Sequence, residues 1–241
     1  MRKEFLEMRV RFLLTLIVMV AIFLSISIPR EWIIQMLIEK APVVEKYTGE
    51  GFIEKLKDWS FYVYSQWFGK NLGQLVPIIG IIFSFPLFSR EIENGTIQFL
   101  VSRKGRWHVF SRKIAVSISL LLLTIGILCI LPLIYSWIAG LELDTSHLGA
   151  LAIHALVGSI LWYSVALFFS AAFSDQVKPL ISSLALLALT TTVGLLKPLS
   201  FLNTYSYIMS TSWNATTSTS YAILSLILIA LSWFVFREKD L

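Results

Sequence analysis

The chain has 241 residues, of which 56% are hydrophobic and 15% are charged, and its formal net charge is +5. A soluble domain carries about 25% charged residues, so the composition excludes an ordinary soluble enzyme or binding module. A mean hydropathy of +0.76 instead indicates that lipid surrounds much of the chain. The positive charge could indicate nucleic-acid binding, but the basic residues lie in short segments between apolar stretches, so no nucleic-acid partner is expected.

Six apolar stretches of 16 to 26 residues follow one another along the chain. These lengths are close to the roughly 20 residues with which a helix crosses about 30 Å of hydrocarbon, and backbone groups in lipid must be hydrogen-bonded internally. We therefore expect an all-α integral membrane protein, with residues 1–241 forming one six-helix transmembrane domain. The predicted spans are residues 12–28, 72–88, 114–139, 148–173, 180–196 and 221–236.

The distribution of basic residues predicts the orientation of this domain. If the N-terminus is cytoplasmic, thirteen of the 20 Lys and Arg residues lie in cytoplasmic segments and seven lie outside. Cytoplasmic loops of membrane proteins carry such an excess of Lys and Arg. The sequence thus predicts a multi-pass protein of a prokaryotic cell membrane, with both termini in the cytoplasm and an uncleaved first span.

Residues 29–71, between the first two spans, form the largest predicted extracytoplasmic region. Apolar residues share one helical face over residues 31–40, and again over residues 53–64. The aromatic residues around the second pattern are typical of a membrane-interface belt. We expect amphipathic helices on the outer membrane surface, with a specific ligand platform as the alternative interpretation.

The six predicted spans contain no Asp, Glu, Lys or Arg. Ion-coupled transporters usually carry an ionisable residue inside the membrane, so a secondary transporter is disfavoured. His154 is the one candidate, and a hydrogen-bonded structural histidine is the favoured interpretation. The chain also lacks a phosphate-binding loop of the Gly-x4-Gly-Lys-Ser/Thr type, so we expect it to bind no ATP itself. We expect no other bound cofactor. We expect neither a catalytic residue nor a metal site.

Hydroxyl side chains are concentrated in the predicted fifth span, at Ser182, Ser183, Thr190 and Thr191. They could line a substrate path, or they could form hydrogen bonds that hold neighbouring helices together. The sequence leaves both interpretations open.

The densest charge lies between the second and third spans, in residues 89–113. Residues 91–101 follow a helical pattern whose apolar positions include Ile97 and Leu100. Gly95 falls within this predicted helix, where the absence of a side chain would let a partner's backbone approach closely. The segment is either a docking surface for a cytoplasmic protein or a basic loop that only fixes the topology.

The same segment resembles the cytoplasmic signature of ABC-2 type transporter permeases, in which Glu-x-Glu-x-Gly-Thr follows the second span and an Arg and a Lys precede the third. Residues 236–241 are similar to the basic tail of that family. The chain departs from the family at Lys104 and Gly105, where a Pro is frequent, at Arg112, where a Gly is frequent, and in its longer connection between the first two spans. The positions that carry the resemblance are Glu91, Glu93, Gly95, Thr96, Arg106 and Lys113.

This resemblance implies that residues 91–101 form a coupling helix, which sits in a groove of a separate cytoplasmic ABC ATPase subunit. It also implies a second permease copy, as a homodimer or a related heterodimer, with helices one and five at the dimer contact and helices two and five lining the path. ATP and Mg²⁺ would then bind only to the partner subunit. The residues implied in coupling are Glu91, Glu93, Gly95, Thr96, Ile97, Leu100, Arg106 and Lys113.

The expected function is that of the transmembrane subunit of an ATP-driven exporter, which moves a lipophilic, peptide or drug-like substrate. The alternative is a membrane scaffold whose ATPase partner drives mechanical or regulatory work on another protein without moving a solute. An uncharged membrane interior suits both functions.

Overall fold

The computed structural model describes residues 2–39 and 51–239, and within these ranges all regular secondary structure is helical. The predicted all-α fold is therefore confirmed for the described part of the chain. Residues 40–50 of the predicted extracytoplasmic region, and the last two residues of the predicted basic tail, lie outside the described residues.

Within each described range, the helices follow one another with short connections. The α-helices are α1 (Arg2–Ser27), α2 (Arg30–Glu39), α3 (Phe52–Leu56), α4 (Trp59–Tyr62), α5 (Gly73–Ser84), α6 (Ser89–Glu93), α7 (Ile97–Lys104), α8 (Arg106–Ala139), α9 (Leu148–Ala172), α10 (Val177–Val193), α11 (Thr204–Ile208) and α12 (Ala215–Glu238). A π-helical stretch, Val63–Leu72, joins α4 to α5, and a 3₁₀-helix, Lys197–Leu202, lies between α10 and α11.

Among the described residues, five helical runs are long and apolar enough to cross a membrane: Phe5–Ser27, Trp59–Glu93, α8, α9 and α12. The protein is thus a multi-pass membrane protein. Helix α10, at the predicted fifth span, has 17 residues and rises about 25 Å, somewhat less than the roughly 30 Å of hydrocarbon. Its last residue is Val193, and Gly194 and a proline-containing 3₁₀-helix follow. Membrane crossing by α10 stays a prediction.

The second span begins earlier than the sequence predicts, because helical structure continues from Trp59 to the end of α6. Trp59 is buried, and its indole N–H donates to Ser136 Oγ of α8 at 2.6 Å. Trp67 is also buried, and its indole N–H donates to the Leu128 carbonyl of α8 at 3.1 Å. The prediction of a surface helix over residues 53–64 was therefore wrong from Trp59 onward, since these aromatic residues pack inside the bundle. Helix α2 covers most of the first predicted amphipathic helix.

Helix α9 lies at the centre of the bundle and packs against α5, α8, α10 and α12. It approaches α5 closely at Gly80, where a Cβ atom would lie 2.5 Å from the Ser159 carbonyl oxygen and 3.0 Å from the Tyr163 amide nitrogen. Small residues allow transmembrane helices to approach in this way. The peripheral helices α1 and α12 bury the smallest shares of their spans, so their apolar side chains face outward.

Most Lys and Arg residues of the described chain lie toward one end of the bundle, called the basic end below. Side-chain hydrogen bonds there join the end of the second span, the start of α8 and the ends of α9 and α12, and an ion pair joins the start of α1 to α8. At the opposite end, the Tyr62 hydroxyl donates to the Ile26 carbonyl at 2.7 Å. The basic end contains the candidate site.

Candidate functional site

The predicted coupling helix over residues 91–101 is broken into α6 and α7 by a turn at Gly95, whose φ is +67°. The Gly95 amide donates to the Ile92 carbonyl at 3.0 Å. The Thr96 amide donates to the Glu91 carbonyl at 2.9 Å. These two bonds form the Schellman arrangement that ends many helices at a glycine in the left-handed conformation. The prediction of one continuous helix was therefore wrong, and the segment is a helix–turn–helix.

The backbone conformation at position 95 explains why this residue is glycine. A Cβ atom there would meet no other atom within 4 Å, so no neighbouring part of the described chain needs the space. A side chain at positive φ is strained, whereas glycine adopts this conformation freely. Close approach by a partner's backbone stays a prediction.

The structure brings Glu91, Thr96 and Lys113 together at the basic end. Lys113 Nζ lies 2.8 Å from Glu91 Oε1, and the Thr96 hydroxyl donates to Glu91 Oε2 at 2.8 Å. Glu7 of α1 adds a carboxylate oxygen 3.8 Å from Lys113 Nζ. The Lys113 and Glu91 side chains are only 6% and 8% exposed, and charges buried to this degree must be paired. The pair therefore fixes α6 and the turn against the start of α8.

Glu93 connects the same segment to the start of α10. Its Oε2 accepts hydrogen bonds from the Gln176 side-chain amide at 2.9 Å and from the Gln176 backbone amide at 3.2 Å. The adjacent Asp175 carboxylate accepts from the amides of Val177 and Lys178 and pairs with the Lys178 side chain at 2.8 Å. The Lys178 contacts, with the Val177 amide adding less, hold the pKa of Asp175 below its usual value. The start of α10 is thus held at the basic end by carboxylates.

Arg106 and Lys239 of the basic tail donate hydrogen bonds to carbonyls at the carboxyl ends of helices. Arg106 Nη1 donates to the carbonyls of Phe236, Arg237 and Lys239 at the end of α12, at 3.4 Å for Phe236 and 2.9 Å for Lys239. Lys239 Nζ in turn donates to the last carbonyls of α9 at 2.9 to 3.1 Å. Cations stabilise the carboxyl ends of helices, where carbonyls lack intrahelical partners. Sequence reasoning identified Arg106 but not the capping role of Lys239.

Helix α7 has one face toward the bundle and one away from it. Ile97 is buried and Leu100 is partly buried, as their helical spacing predicts. Phe99 lies on the other face with 75% of its surface exposed, beside exposed Arg103. Sequence reasoning missed Phe99, although the pattern that buries Ile97 and Leu100 leaves position 99 on the outer face.

The predicted substrate-path residues lie on α10, apart from the Glu91–Lys113 pair. Ser183 donates to the Pro179 carbonyl at 2.6 Å and Thr191 donates to the Leu187 carbonyl at 2.7 Å, one turn back in the same helix. Thr190 likewise donates to the Leu186 carbonyl. These hydroxyls donate to carbonyls of their own helix. Their hydrogen bonds therefore support neither a substrate path nor a link between neighbouring helices. Ser182 is half-buried beside Ser183.

His154 is a hydrogen-bonded structural residue, as predicted, but it is fully buried. Its Nδ1 lies 3.0 Å from the Ser210 carbonyl, and its ring stacks on Trp213 with centroids 5.8 Å apart. The ring therefore helps to attach the segment that follows α11 to the opposite end of α9.

Comparison of the chain with protein-family models, with curated proteins and with solved structures finds no significant match. The contacts at the basic end therefore carry the functional argument. The fold and these contacts define a multi-pass helical membrane protein, in which a short helix–turn–helix is fixed to the start of α8 by a buried ion pair.

Proposed function

We propose that this chain is the permease subunit of an ATP-driven ABC transporter of the ABC-2 type, in the cell membrane of a prokaryote. In this proposal α10 is the fifth of six spans, both termini are cytoplasmic, and the basic end faces the cytoplasm. The excess of basic residues at that end supports this orientation.

One observation carries the proposal: the helix–turn–helix of α6 and α7 is linked to two neighbouring helices through residues of the signature. Glu91 joins it to α8 through Lys113, and Glu93 joins it to the start of α10 through Gln176. A displacement of α7 would therefore be passed to both helices. This is the mechanical requirement for a segment that transmits work from an ATPase to membrane spans.

Helix α7 supplies the docking face in this proposal. The exposed Phe99 ring would fill an apolar pocket of a cytoplasmic ABC ATPase, and Arg103 beside it would face an acidic rim. Buried aromatic and arginine side chains account for much of the affinity of protein interfaces. ATP and Mg²⁺ bind to the ATPase subunit, while this chain supplies no catalytic residue.

A second permease copy completes the proposed complex. Helices α1 and α10 carry exposed apolar side chains such as Ile17 and Leu189, which suit contact with another permease or with lipid. The second span and α10 would line the path for a lipophilic, peptide or drug-like substrate moving outward, with Ser182, Ser183, Thr190 and Thr191 on α10.

The test is co-expression with the ABC ATPase encoded by a neighbouring gene, followed by purification through a tag on this chain. The wild-type chain should retain the ATPase, and Phe99→Ala should weaken the complex about tenfold or more, because truncating an aromatic anchor costs about 2 kcal/mol. Trp137→Ala removes an aromatic ring that is at least as exposed as Phe99, at the opposite end, and should leave the complex intact. If no such ATPase binds the wild-type chain, the proposal is wrong.

The scaffold alternative is favoured by one observation. Ser183, Thr190 and Thr191 donate their hydroxyls to their own helix, so this part of the proposed path presents few donors to a solute. ATP-dependent uptake of labelled candidate substrates into inverted vesicles separates the two functions. Uptake supports the exporter, whereas partner-dependent ATP hydrolysis without uptake of any candidate supports the scaffold.

A further inference from the structure

A cavity of about 160 Å³ opens at the basic end, between α1, the end of the second span and the start of α8. Its volume is several times the roughly 30 Å³ that one water occupies in the liquid. The cavity is rich in charged side chains, with three cations and two carboxylates. Its lining residues are Glu7, Met8, Arg11, Pro86, Leu87, Arg90, Glu91, Asn94, Thr96 and Lys113.

The charges of this cavity do not balance locally. Lys113 Nζ lies 2.8 Å from Glu91 and 3.8 Å from Glu7. The Glu7 carboxylate also attracts the Arg11 guanidinium electrostatically. Among the described side chains, no carboxylate oxygen lies within 4 Å of the guanidinium of Arg11 or of Arg90. The guanidinium groups of Arg11 and Arg90 line one cavity and repel each other, and a bound anion between them would offset that repulsion.

The other contacts of Arg11 are weak. Its Nη1 donates to the Met8 thioether sulfur at 3.3 Å, and sulfur is a poor acceptor. Arg11 is half-buried, so part of its hydration is already lost, whereas Arg90 is exposed at the mouth of the cavity. An anion that bonded both side chains would replace the missing acceptors.

The depth of the cavity indicates where that anion comes from. Arg11 immediately precedes the first apolar stretch, Arg90 closely follows the second, and Lys113 immediately precedes the third. The three cations thus lie at the boundary between apolar and polar segments, which is the level of lipid phosphates in a bilayer. Basic pockets between transmembrane helices at this level suit anionic headgroups.

We propose that this cavity binds the phosphate group of an anionic membrane lipid, held by Arg11 and Arg90. Guanidinium groups match phosphate oxygens with paired N–H donors, and the Asn94 amide at the rim can add another donor. A bound lipid would join α1 to α6, next to the Glu91–Lys113 pair. This inference does not rest on the proposed function, because it requires neither the ATPase nor transport.

The test uses the purified full-length chain in a neutral detergent, with thermal unfolding followed at increasing concentrations of phosphatidylglycerol, phosphatidylcholine or inorganic phosphate. Phosphatidylglycerol near saturation should raise the Tm by about 5 °C, because a ligand that binds only the folded state stabilises it by mass action. Phosphatidylcholine should have a much smaller effect. Stabilisation by inorganic phosphate and not by phosphatidylglycerol would overturn the lipid assignment.

The variants separate this site from general attraction between a basic protein and anionic lipid. Arg11→Gln and Arg90→Gln should each weaken phosphatidylglycerol binding about tenfold, since each removes a charge-assisted contact. Arg9→Gln is the matched control, because Arg9 is exposed on the same helix two residues away and does not line the cavity. Equal losses in all three variants would overturn the proposal.

Native mass spectrometry gives a second measurement that does not depend on the stability of each variant. The wild-type chain and Arg9→Gln should each retain one phosphatidylglycerol molecule under conditions in which Arg11→Gln and Arg90→Gln lose it. Retention by all of these proteins would contradict the assignment of the two arginines.

Discussion

Lys113 Nζ lies 2.8 Å from Glu91 Oε1, and both side chains are nearly excluded from solvent. The two residues are 22 positions apart in the chain, and Glu91 comes before α7 whereas Lys113 comes after it. The ion pair therefore closes a loop of the chain that contains α7. The Thr96 hydroxyl donates to the second carboxylate oxygen of Glu91 at 2.8 Å. A loop closed in this way holds α7 in one position relative to α8.

Removal of one charge of this pair should destabilise the fold. We expect Lys113→Met to lower the free energy of unfolding by about 3–5 kcal/mol, because it removes the cation that lies 2.8 Å from the buried Glu91 carboxylate. The double variant Glu91→Met with Lys113→Met should recover much of this loss, since no buried charge then lacks its counterpart. Thermal unfolding of the purified protein in detergent measures both effects.

Arg112→Met is the matched control for this pair. Arg112 precedes Lys113, and among the described side chains no carboxylate oxygen lies within 4 Å of it. Its replacement should change the Tm much less than Lys113→Met does. Similar losses from both variants would show that general charge, and not the buried pair, stabilises this end of the bundle.

The turn at Gly95 should tolerate asparagine better than alanine. Gly95→Ala places a Cβ atom at positive φ and should cost about 1–2 kcal/mol, whereas asparagine adopts this conformation more readily. Gly126→Ala on α8 is the control, because that glycine lies in a regular helix with open space beside it and should gain up to about 1 kcal/mol. Chemical denaturation of the three variants ranks them. Equal stability of Gly95→Ala and the wild type would contradict the conformational role.

Replacement of Gly80 should separate α5 from α9. A Cβ atom there would lie 2.5 Å from the Ser159 carbonyl oxygen, so Gly80→Ala forces the two backbones apart at a cost of about 1–3 kcal/mol. Gly149→Ala on α9, where the added atom meets nothing within 4 Å, should be tolerated. Thermal unfolding compares the two variants. A wild-type Tm for Gly80→Ala would show that α5 and α9 can move apart at little cost in stability.

The proposed orientation can be tested with single cysteines. Cys129, the one cysteine in the chain, is buried and should react slowly with membrane-impermeant maleimides. Ser212→Cys, in the exposed segment that follows α11, should be labelled in intact cells, whereas Arg103→Cys at the exposed surface of α7 should be labelled only after lysis. The opposite pattern would reverse the proposed topology.

Much of the bundle could be predicted from hydropathy, because a helix that crosses a bilayer must be apolar over its whole length. The start of the second span could not be predicted in this way. Tryptophan is common at membrane interfaces, and the partners that bury Trp59 and Trp67 lie on α8, more than sixty residues further along the chain. Which aromatic residues find such partners is decided by tertiary packing.

The site shows the same division between local and distant information. The break in the predicted coupling helix had a local signal, since an Asn-Gly pair such as Asn94–Gly95 often marks a turn. The apolar spacing on both sides of Gly95 outweighed that signal in the prediction. The approach of Glu7 to Lys113, and of Lys239 to the end of α9, had no local signal, because both depend on how distant helices are arranged.

The two cations that cover helix ends restrict how the bundle can move. Arg106 binds the carboxyl end of α12, and Lys239, just beyond α12, binds the carboxyl end of α9. If α12 slid along its axis by one turn, about 5.4 Å, both sets of hydrogen bonds would break at once. If α8, α9 and α12 tilted together as a rigid group, both sets would survive. We therefore expect a motion that begins at the basic end to tilt these three helices together, without sliding α12 along its axis.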